Sequence, residues 1–421
     1  GSLRGSMMFE KYDAYKDSGV EWIGDIPIHW DVKNLRYAFD FLNHRRIPLS
    51  ALERGNKQGR YPYYGASGII DYVDAYLFDE KLLLIAEDGA NLLSKSTPLA
   101  FLAEGKYWVN NHAHILKPKT EAYGFWEKLL CSVDYTVFIT GAAQPKLSRE
   151  NLGGIRLPIP PINEQLKIEK FIDQKTSEID QAIAIKEQQI ALLNERKQIV
   201  IQQAVTQGLD QNVPMKDSGV EWIGEIPEHW EIIKVKNLFK LIIEPAPKNN
   251  DLELLSVYTD IGVKPRKELE ERGNKASTTD GYWKVKKGDI IVNKLLAWMG
   301  AIGLSNYDGV TSPAYDILRA TKPLNPYIYH LLFRSPTCSA ELKKHSRGIM
   351  DMRLRLYFDK FGDVLVPYAP IAEQNEIIKY IEVEEQKINA GIELINQQIE
   401  KLKEYKTTLI NDAVTGKIKV A

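Results

Sequence analysis

The chain has 421 residues, more than a single hydrophobic core usually organises, because domains mostly contain about 100–200 residues. Its composition, 44% hydrophobic and 26% charged, is ordinary for a globular protein, and no apolar run approaches the roughly 18 residues that cross a bilayer. The net charge of −1 excludes a uniformly basic nucleic-acid binder.

The net charge conceals two basic segments. Residues 31–156 contain 16 Lys or Arg against 14 Asp or Glu, and residues 231–366 contain 22 against 16. Two separated segments with a basic surplus are compatible with two modest contacts to nucleic-acid phosphates.

The first residues, GSLRGSM, are typical of an expression tag, so we expect the natural start near Met7 or Met8. No signal peptide follows, and we expect a cytoplasmic protein. Two cysteines, Cys131 and Cys338, are too few for a metal cluster or a disulfide framework, and we expect both to be buried thiols.

A short tryptophan-bearing box occurs twice. Residues 16–30 read KDSGVEWIGDIPIHW and residues 216–230 read KDSGVEWIGEIPEHW, so thirteen of fifteen positions agree. A repeat of this quality indicates a duplicated unit. Because the tryptophans recur in both copies, we expect them to be structural anchors that hold each box against a helix end. These anchors are Trp22, Trp30, Trp222 and Trp230.

A proline-rich turn and a long helix are also repeated. Residues 157–165 read LPIPPINEQ, residues 366–374 read VPYAPIAEQ, and the helical segments that follow end at AVTQG and AVTGK. Proline cannot continue a helix, so these turns set where each helix begins, with Asn163 and Glu164 capping the first. Each helix of about 45 residues would be roughly 65–70 Å long.

Apolar residues in both helices follow a heptad pattern, which is typical of a coiled-coil seam. The predicted seam of the second helix is Ile381, Ile388, Ile392, Ile395, Ile399, Leu402 and Leu409. The matching seam of the first is Ile172, Ile179, Ile183, Ile190, Leu193 and Val200, interrupted at Lys186. We predict that the two helices pair in antiparallel fashion. Joined tail to head, the repeat would be cyclic, so we also expect the chain termini to lie close together.

The two inserts between the repeated elements, residues 31–156 and 231–365, do not align with each other beyond scattered positions. Short apolar runs, such as LLLIA within residues 81–86 and IIV within residues 288–294, alternate with turns rich in Gly, Asn and Asp. The sequence therefore predicts the α+β class, with two globular mixed α/β domains separated by two long antiparallel coiled-coil helices in a pseudo-twofold internal repeat.

The duplicated DSGVEWIG box, the proline-rich turn ending in EQ and the AVTxG ending resemble the specificity subunits of type I restriction–modification systems. YYGASGIIDY, WVNNHAHIL and TGAAQPKLS in the first insert are similar to one variety of that family's target recognition domains. LLSVYTDIGV, VNKLLAWMGAIG and VTSPAYDIL in the second are similar to another. The resemblance covers essentially the whole chain after the tag.

The resemblance implies a DNA-binding subunit without an active site of its own. Each recognition domain would read one half of a bipartite asymmetric DNA site. Methyltransferase subunits, which modify adenine N6, and motor-nuclease subunits would be its partners. No cofactor is expected in this chain, whereas S-adenosylmethionine, ATP and Mg are expected on the partners. The predicted segments are 1–15 (tag and N-terminal segment), 16–156 (box and first recognition domain), 157–209 (turn and first helix), 210–365 (box and second recognition domain) and 366–421 (turn, second helix and tail).

Candidate DNA contacts in the first domain are polar or basic residues in predicted loops and strand ends: Arg45, Arg46, Asn110, Asn111, His112, His114, Gln144 and Lys146. Arginine binds phosphate or guanine, and asparagine reads adenine. A solvated loop is the alternative for the two arginines. A metal site at His112 and His114 lacks a third clustered ligand, so we expect no metal and expect one histidine to stabilise the fold.

Candidates in the second domain are two basic clusters and the end of a strand-like run: Lys264, Arg266, Lys267, Asn293, Lys294, Arg347, Arg353 and Arg355. We expect at least one of the clusters to contact the phosphate backbone.

Two other classes of protein compete with a DNA reader. A methyltransferase needs an N/D/S-P-P-aromatic motif, but 312–315 reads SPAY, and the phosphate-binding loop of a motor is absent from the sequence. The scattered carboxylates Asp79, Glu87 and Asp88 are weak support for a nuclease. A coiled-coil scaffold that binds only protein is the second alternative, and loss of binding at high salt would distinguish DNA binding from it.

Overall fold

The structure, a computed structural model, describes residues 9–141, 145–210, 212–269, 279–348 and 354–420. The chain divides into two compact units: residues 1–186 with 397–421, and residues 187–396. Each unit contains one insert and a portion of both long helices. None of the described helices is both long and apolar enough to span a membrane.

The first unit is a mixed α/β domain. Its strands are β1 Tyr15–Asp17, β2 Asp25–Pro27, β3 Asp31–Asn34, β4 Phe39–Phe41, β5 Gln58–Gly65, β6 Gly68–Val73, β7 Phe78–Asp79, β8 Leu82–Ala86, β9 Ala100–Ala103, β10 Lys106–Val109, β11 Ala113–Pro118 and β12 Arg156–Ile159. Its helices are α1 Leu35–Ala38, α2 Ala51–Asn56, α3 Asn91–Ser94, α4 Tyr123–Ser132, α5 Arg149–Gly154 and the beginning of α6 Ile162–Gln207.

Two four-stranded sheets form the first insert, in the orders β4-β11-β8-β9 and β6-β5-β10-β7. Strand β8 is the LLLIA run, and all five of its residues are buried. A continuous apolar strand is stable only where both faces of the sheet are covered. Helix α4 covers this sheet with the buried Phe125, Trp126, Leu129 and Leu130.

The second unit repeats this plan with different details. Its strands are β13 Met215–Asp217, β14 Glu225–Pro227, β15 Glu231–Lys234, β16 Phe239–Ile242, β17 Leu255–Tyr258, β18 Gly262–Pro265, β19 Trp283–Val285, β20 Ile290–Asn293, β21 Ile302–Leu304, β22 Gly309–Thr311, β23 Tyr315–Ala320 and β24 Leu365–Tyr368. Its helices are α7 Val235–Leu238, α8 Pro326–Phe333, α9 Pro336–His345, α10 Phe358–Phe361 and the first part of α11 Ile371–Val414. The central sheet has the order β16-β23-β20-β21.

The repeated box forms the same frame in both units. Its hairpin is β1–β2 in the first unit and β13–β14 in the second. The strand after the box pairs with the strand before the long helix, as β3–β12 and β15–β24. The expected proline-rich turn is therefore shorter than predicted, because Pro158 and Pro367 lie within these two-stranded sheets, where an edge position needs no amide donor.

The long helices pair in antiparallel fashion, as predicted. In the first unit Lys406 contacts Asp180 at 2.7 Å, and the ammonium of Lys186 donates to the side-chain oxygen of Gln398 at 2.6 Å. In the second unit Lys197 contacts Glu385 at 3.2 Å. Along these contacts the residue numbers of the first helix increase while those of the second decrease, which is the antiparallel arrangement. Every predicted seam residue is buried or half-buried, and Lys186 completes the seam through its polar bond.

A carboxylate at the start of each long helix holds the box. Glu164 accepts hydrogen bonds from the Trp30 indole at 2.9 Å and from His29 at 2.6 Å. Glu373 accepts from Trp230 at 3.0 Å and from His229 at 2.8 Å. The tryptophan anchors at 30 and 230 are confirmed. The expected capping role of Glu164 is wrong, because its carboxylate bonds to the box instead of to the helix amides.

The chain ends meet in the first unit, as predicted. The amide of Lys419 donates to the carbonyl of Glu10 at 2.7 Å. Gly416, with a φ of +74°, ends α11 against Pro27 and Trp30, where a Cβ would lie only 2.5 Å from the proline. Glycine tolerates both the close approach and the left-handed backbone.

The two cysteines differ in their surroundings. Cys338 is buried, and burial raises the pKa of its thiol. Cys131 is exposed, so the expectation of a buried thiol is wrong there. It lies near the end of α4, and its thiol donates to the carbonyl of Ala100 in β9 at 3.2 Å.

Candidate nucleic-acid interface

Three segments of the first unit meet where β8 ends and β11 begins. The amide of Leu147 donates to the carbonyl of Glu87 at 2.8 Å, and Asp88 bridges to Lys146. The amide of Glu87 donates to the carbonyl of His112 at 2.9 Å. These contacts build a polar surface that we call the first strand-end face: Arg46, Glu87, Asp88, Asn111, His112 and Lys146.

Glu87 is the anionic centre of the first strand-end face. Its carboxylate lies 2.6 Å from Arg46 and 3.5 Å from Lys146. Burial opposes ionisation of Glu87, but the hydrogen bond from Arg46 and the neighbouring positive charges outweigh it, so its pKa lies below the usual range. The guanidinium of Arg46 also donates to the carbonyls of Asn111 at 3.2 Å and Ala113 at 2.8 Å.

The two histidines of this segment have different roles. His112 is exposed, and its Nδ1 lies 2.8 Å from Asp88. His114 is fully buried, with Nε2 donating to the carbonyl of Leu147 at 2.7 Å and Nδ1 bonded to Asn43. Burial lowers the pKa of His114 and favours the neutral ring. The expected DNA contact from His114 is therefore wrong, and His114 is the histidine that stabilises the fold.

Asn110 and Arg45 are also held by protein partners. Asn110 is 5% exposed, and its side-chain oxygen accepts from the amide of His112 at 2.8 Å. Arg45 forms an ion pair with Glu80 at 2.7 Å and lies over the ring of Phe78. Its contacts take it away from the strand-end face, whereas Arg46 belongs to it. Gln144 lies outside the described residues.

A basic and aromatic patch lies on the neighbouring sheet of the first unit. The guanidinium of Arg60 is 5.1 Å from the ring of Tyr61, and the ammonium of Lys106 is 4.8 Å from the ring of Tyr76. The two tyrosines contact each other at 5.1 Å. Such a surface suits phosphates and exposed bases. Sequence reasoning missed it, because its members come from three separate segments.

The second unit has an equivalent surface where β20 ends and β23 begins. The amide of Leu356 donates to the carbonyl of Lys294 at 2.9 Å, and Arg347 pairs with Arg355 through the backbone. Lys294 contacts Asp316 and the carbonyl of Pro313, both at 3.2 Å. We call this surface the second strand-end face: Lys294, Pro313, Ala314, Asp316, Arg347 and Arg355.

The other candidates of the second domain have local partners. Asn293 is 7% exposed and accepts from the amide of Leu295 at 3.1 Å. Lys264 lies on β18 opposite Ser256, and Arg266 begins the following turn. Lys267, in the same turn, forms an ion pair with Glu253. Burial raises the pKa of Tyr315, the first residue of β23, and the nearby positive charge of Arg266 opposes that rise, so Arg266 lies close to this strand end. Arg353 lies outside the described residues.

The described residues contain no group of three or more His, Cys, Asp or Glu placed to hold a metal ion. The two faces instead combine exposed cations with the half-buried carboxylates of Glu87 and Asp316. Lys146 and Arg347 expose more than half of their side chains, at 56% and 58%. Cations in this setting donate to phosphates or to base acceptors.

Comparison with known proteins identifies the family. The profile of the type I restriction modification DNA specificity domain matches residues 27–195. A Haemophilus influenzae protein assigned as a type I restriction enzyme specificity subunit is 26% identical over 404 residues, which cover 93% of this chain and 95% of that protein.

Two solved structures have the same fold. The HsdS subunit from Thermoanaerobacter tengcongensis has a TM-score of 0.52 at 13% identity, covering 93% of this chain and 98% of its own. A chain of the type I R-M system, from work on its complex assembly and conformational transition, has a TM-score of 0.59 at 15% identity, covering 92% of this chain and 98% of its own. Together with the duplicated box and helices, the match to the DNA specificity domain and the likeness to a specificity subunit over nearly the whole chain show that this chain belongs to the specificity subunits of type I restriction–modification systems.

Proposed function

We propose that this chain reads DNA, with each insert recognising one half of a bipartite asymmetric site. One observation carries the proposal: a repeated frame presents the same strand-end geometry twice, with a different set of side chains each time. A reader of two unlike half-sites needs this combination of equal scaffolds and unequal contacts. Phosphate contacts would position each unit, and contacts to base edges would supply the sequence preference.

The catalytic steps belong to partners in this proposal. Methyltransferase subunits would methylate adenine N6 with S-adenosylmethionine, and motor-nuclease subunits would use ATP and Mg to cleave unmodified DNA. The chain itself would hold no cofactor and would act in the cytoplasm. Its paired helices would carry the docking surface for the methyltransferase.

A scaffold that binds only protein is the competing function. The exposed cations Lys146, Arg347 and Arg355 favour DNA, because a protein-binding surface has no need for a cation at the same strand end in both units. The alternatives differ in salt dependence, since DNA binding releases counterions and weakens steeply as salt rises.

A map of N6-methyladenine in the source organism, with and without this gene, tests the function. We expect deletion to abolish methylation of one bipartite asymmetric motif, and restoring the gene to recover it. An unchanged map together with failure to co-purify a methyltransferase subunit would contradict the proposal.

A further inference from the structure

The strand register makes the two inserts comparable residue by residue, although their sequences do not align. The two boxes begin at residues 16 and 216, so β4 and β16, which begin at Phe39 and Phe239, occupy corresponding positions. Residues that pair with corresponding residues of these strands correspond in turn, and the same step extends the correspondence to the next strand of each sheet. The pairs that carry it are Phe39–Pro118 and Leu116–Leu83 in the first unit, and Phe239–Ala320 and Leu318–Ile290 in the second. This correspondence equates Glu87 with Lys294, and His114 with Asp316.

Two further contacts support the correspondence. Leu147 and Leu356, which precede the repeated turns at equal distances, donate to the carbonyls of Glu87 and Lys294. The loops that enter β11 and β23, residues 110–112 and 312–314, contain the same turn. In the first the amide of His112 donates to the side chain of Asn110, and in the second the amide of Ala314 donates to that of Ser312 at 3.2 Å. We call these two segments the entry loops.

A half-buried cation holds each entry loop, but the two units obtain it from different elements. In the first unit Arg46, which follows β4, donates to the carbonyl of Asn111 and pairs with Glu87 at the end of β8. In the second unit the residue at the end of β20 is itself the cation, Lys294, which donates to the carbonyl of Pro313 and pairs with Asp316. The charge at the strand end is therefore inverted between the units, while the bond to the loop carbonyl is kept.

Both ion pairs are largely shielded from solvent. Side-chain exposure is 16% for Arg46 and 14% for Glu87, and 20% for Lys294 and 14% for Asp316. Removing one partner of a largely buried pair leaves an uncompensated charge, which is strongly destabilising for the groups around it. Each pair therefore fixes its loop in one position, with residues 111–112 and 313–314 exposed.

We propose that the Arg46–Glu87 and Lys294–Asp316 pairs are positioning residues for base reading. They hold the entry loops in register with the DNA without contacting it. The opposite charges at the two strand ends, Glu87 and Lys294, contribute to the difference between the half-sites. The first unit exposes His112, which contacts Asp88, whereas the second unit exposes Ala314 at the corresponding position. This inference rests on the proposed function.

The test uses the full-length gene returned to the deletion strain, followed by a map of N6-methyladenine. The wild-type gene must first restore the bipartite motif; failure at that step contradicts the proposed function and not the positioning role. We then expect Lys294→Met to relax base preference in one half of the motif, by about tenfold or more, while the other half stays unchanged. Lys294→Arg should retain the preference.

The matched control is Lys284→Met, which removes a surface cation 3.7 Å from Glu244 in the same unit and should leave the motif unchanged. An unchanged motif in Lys294→Met, or equal loss in both halves from a protein that unfolds at the wild-type temperature, would overturn the proposal.

Discussion

At the scale of residues, protein partners decide which polar side chains are left for a ligand. Arg46, Lys294 and His114 satisfy their hydrogen bonds within the fold, and their low exposure follows from those bonds. Lys146 and Arg355 stand at equivalent positions beside the strand ends and are exposed. An exposed cation keeps its hydration in the free protein, so folding involves no free-energy cost of desolvation for it. These two residues therefore suit phosphate contacts.

Lys146→Met should therefore weaken DNA binding in a salt-dependent way. Loss of one phosphate contact lowers the slope of log affinity against log salt by about 1, and it affects cognate and non-cognate duplexes alike. Fluorescence anisotropy with both duplexes over a range of salt measures this slope. Lys33→Met, which removes a cation in a surface pair with Asp31, is the matched control. An unchanged slope in Lys146→Met would exclude a phosphate contact.

At the scale of elements, helix α8 is anchored through a half-buried histidine. Asn325 caps the helix, and Pro326 begins it with a preset backbone angle. The Nδ1 atom of His330 accepts from the amide of Leu304 at 3.1 Å, which ties the helix to the central sheet. Burial, with the charge of Arg334 added, lowers the pKa of His330 to about 4.

This depressed pKa makes stability depend on pH. Between the ordinary pKa of 6.5 and about 4 the unfolded chain binds a proton that the folded chain excludes, so stability is full above pH 6.5 and is lost as pH falls. We expect His330 to contribute a loss of about 2 kcal/mol between about pH 7 and about pH 5.

Urea unfolding of the wild type and of His330→Gln at both pH values measures this contribution. Glutamine can accept the same amide hydrogen bond and does not titrate, so the variant should lose about 2 kcal/mol less than the wild type. The other groups titrate in both proteins and cancel in the comparison. An equal loss in the two proteins would contradict the assignment to His330.

At the scale of the whole molecule, two units on one repeated frame predict independent half-sites. Asn111→Ala with His112→Ala should change only one half of the methylated motif, and Lys294→Met should change only the other. Combined, the changes should add, because substitutions without shared partners are independent. Mapping N6-methyladenine for each variant checks this. A variant that alters both halves together would contradict modular reading.

The amino-acid sequence by itself determined the frame of this protein. The duplicated box, the proline-rich turns and the heptad seam are local signals, and each predicts its element without knowledge of the rest of the chain. The pairing of equal helices and the meeting of the termini follow from the cyclic order of the repeat. For the same reason, the tryptophan anchors at 30 and 230 could be recognised before any contact was known.

Only the tertiary structure decided which polar residues face a ligand. Burial of His114 depends on Asn43 and Leu147, far away in sequence, and the link from Glu87 to Arg46 depends on how β8 and β11 pair. The correspondence of Glu87 with Lys294 is likewise invisible in sequences that do not align. Charge and hydrogen bonding act over a few ångströms in space, and strand register across distant segments sets those distances.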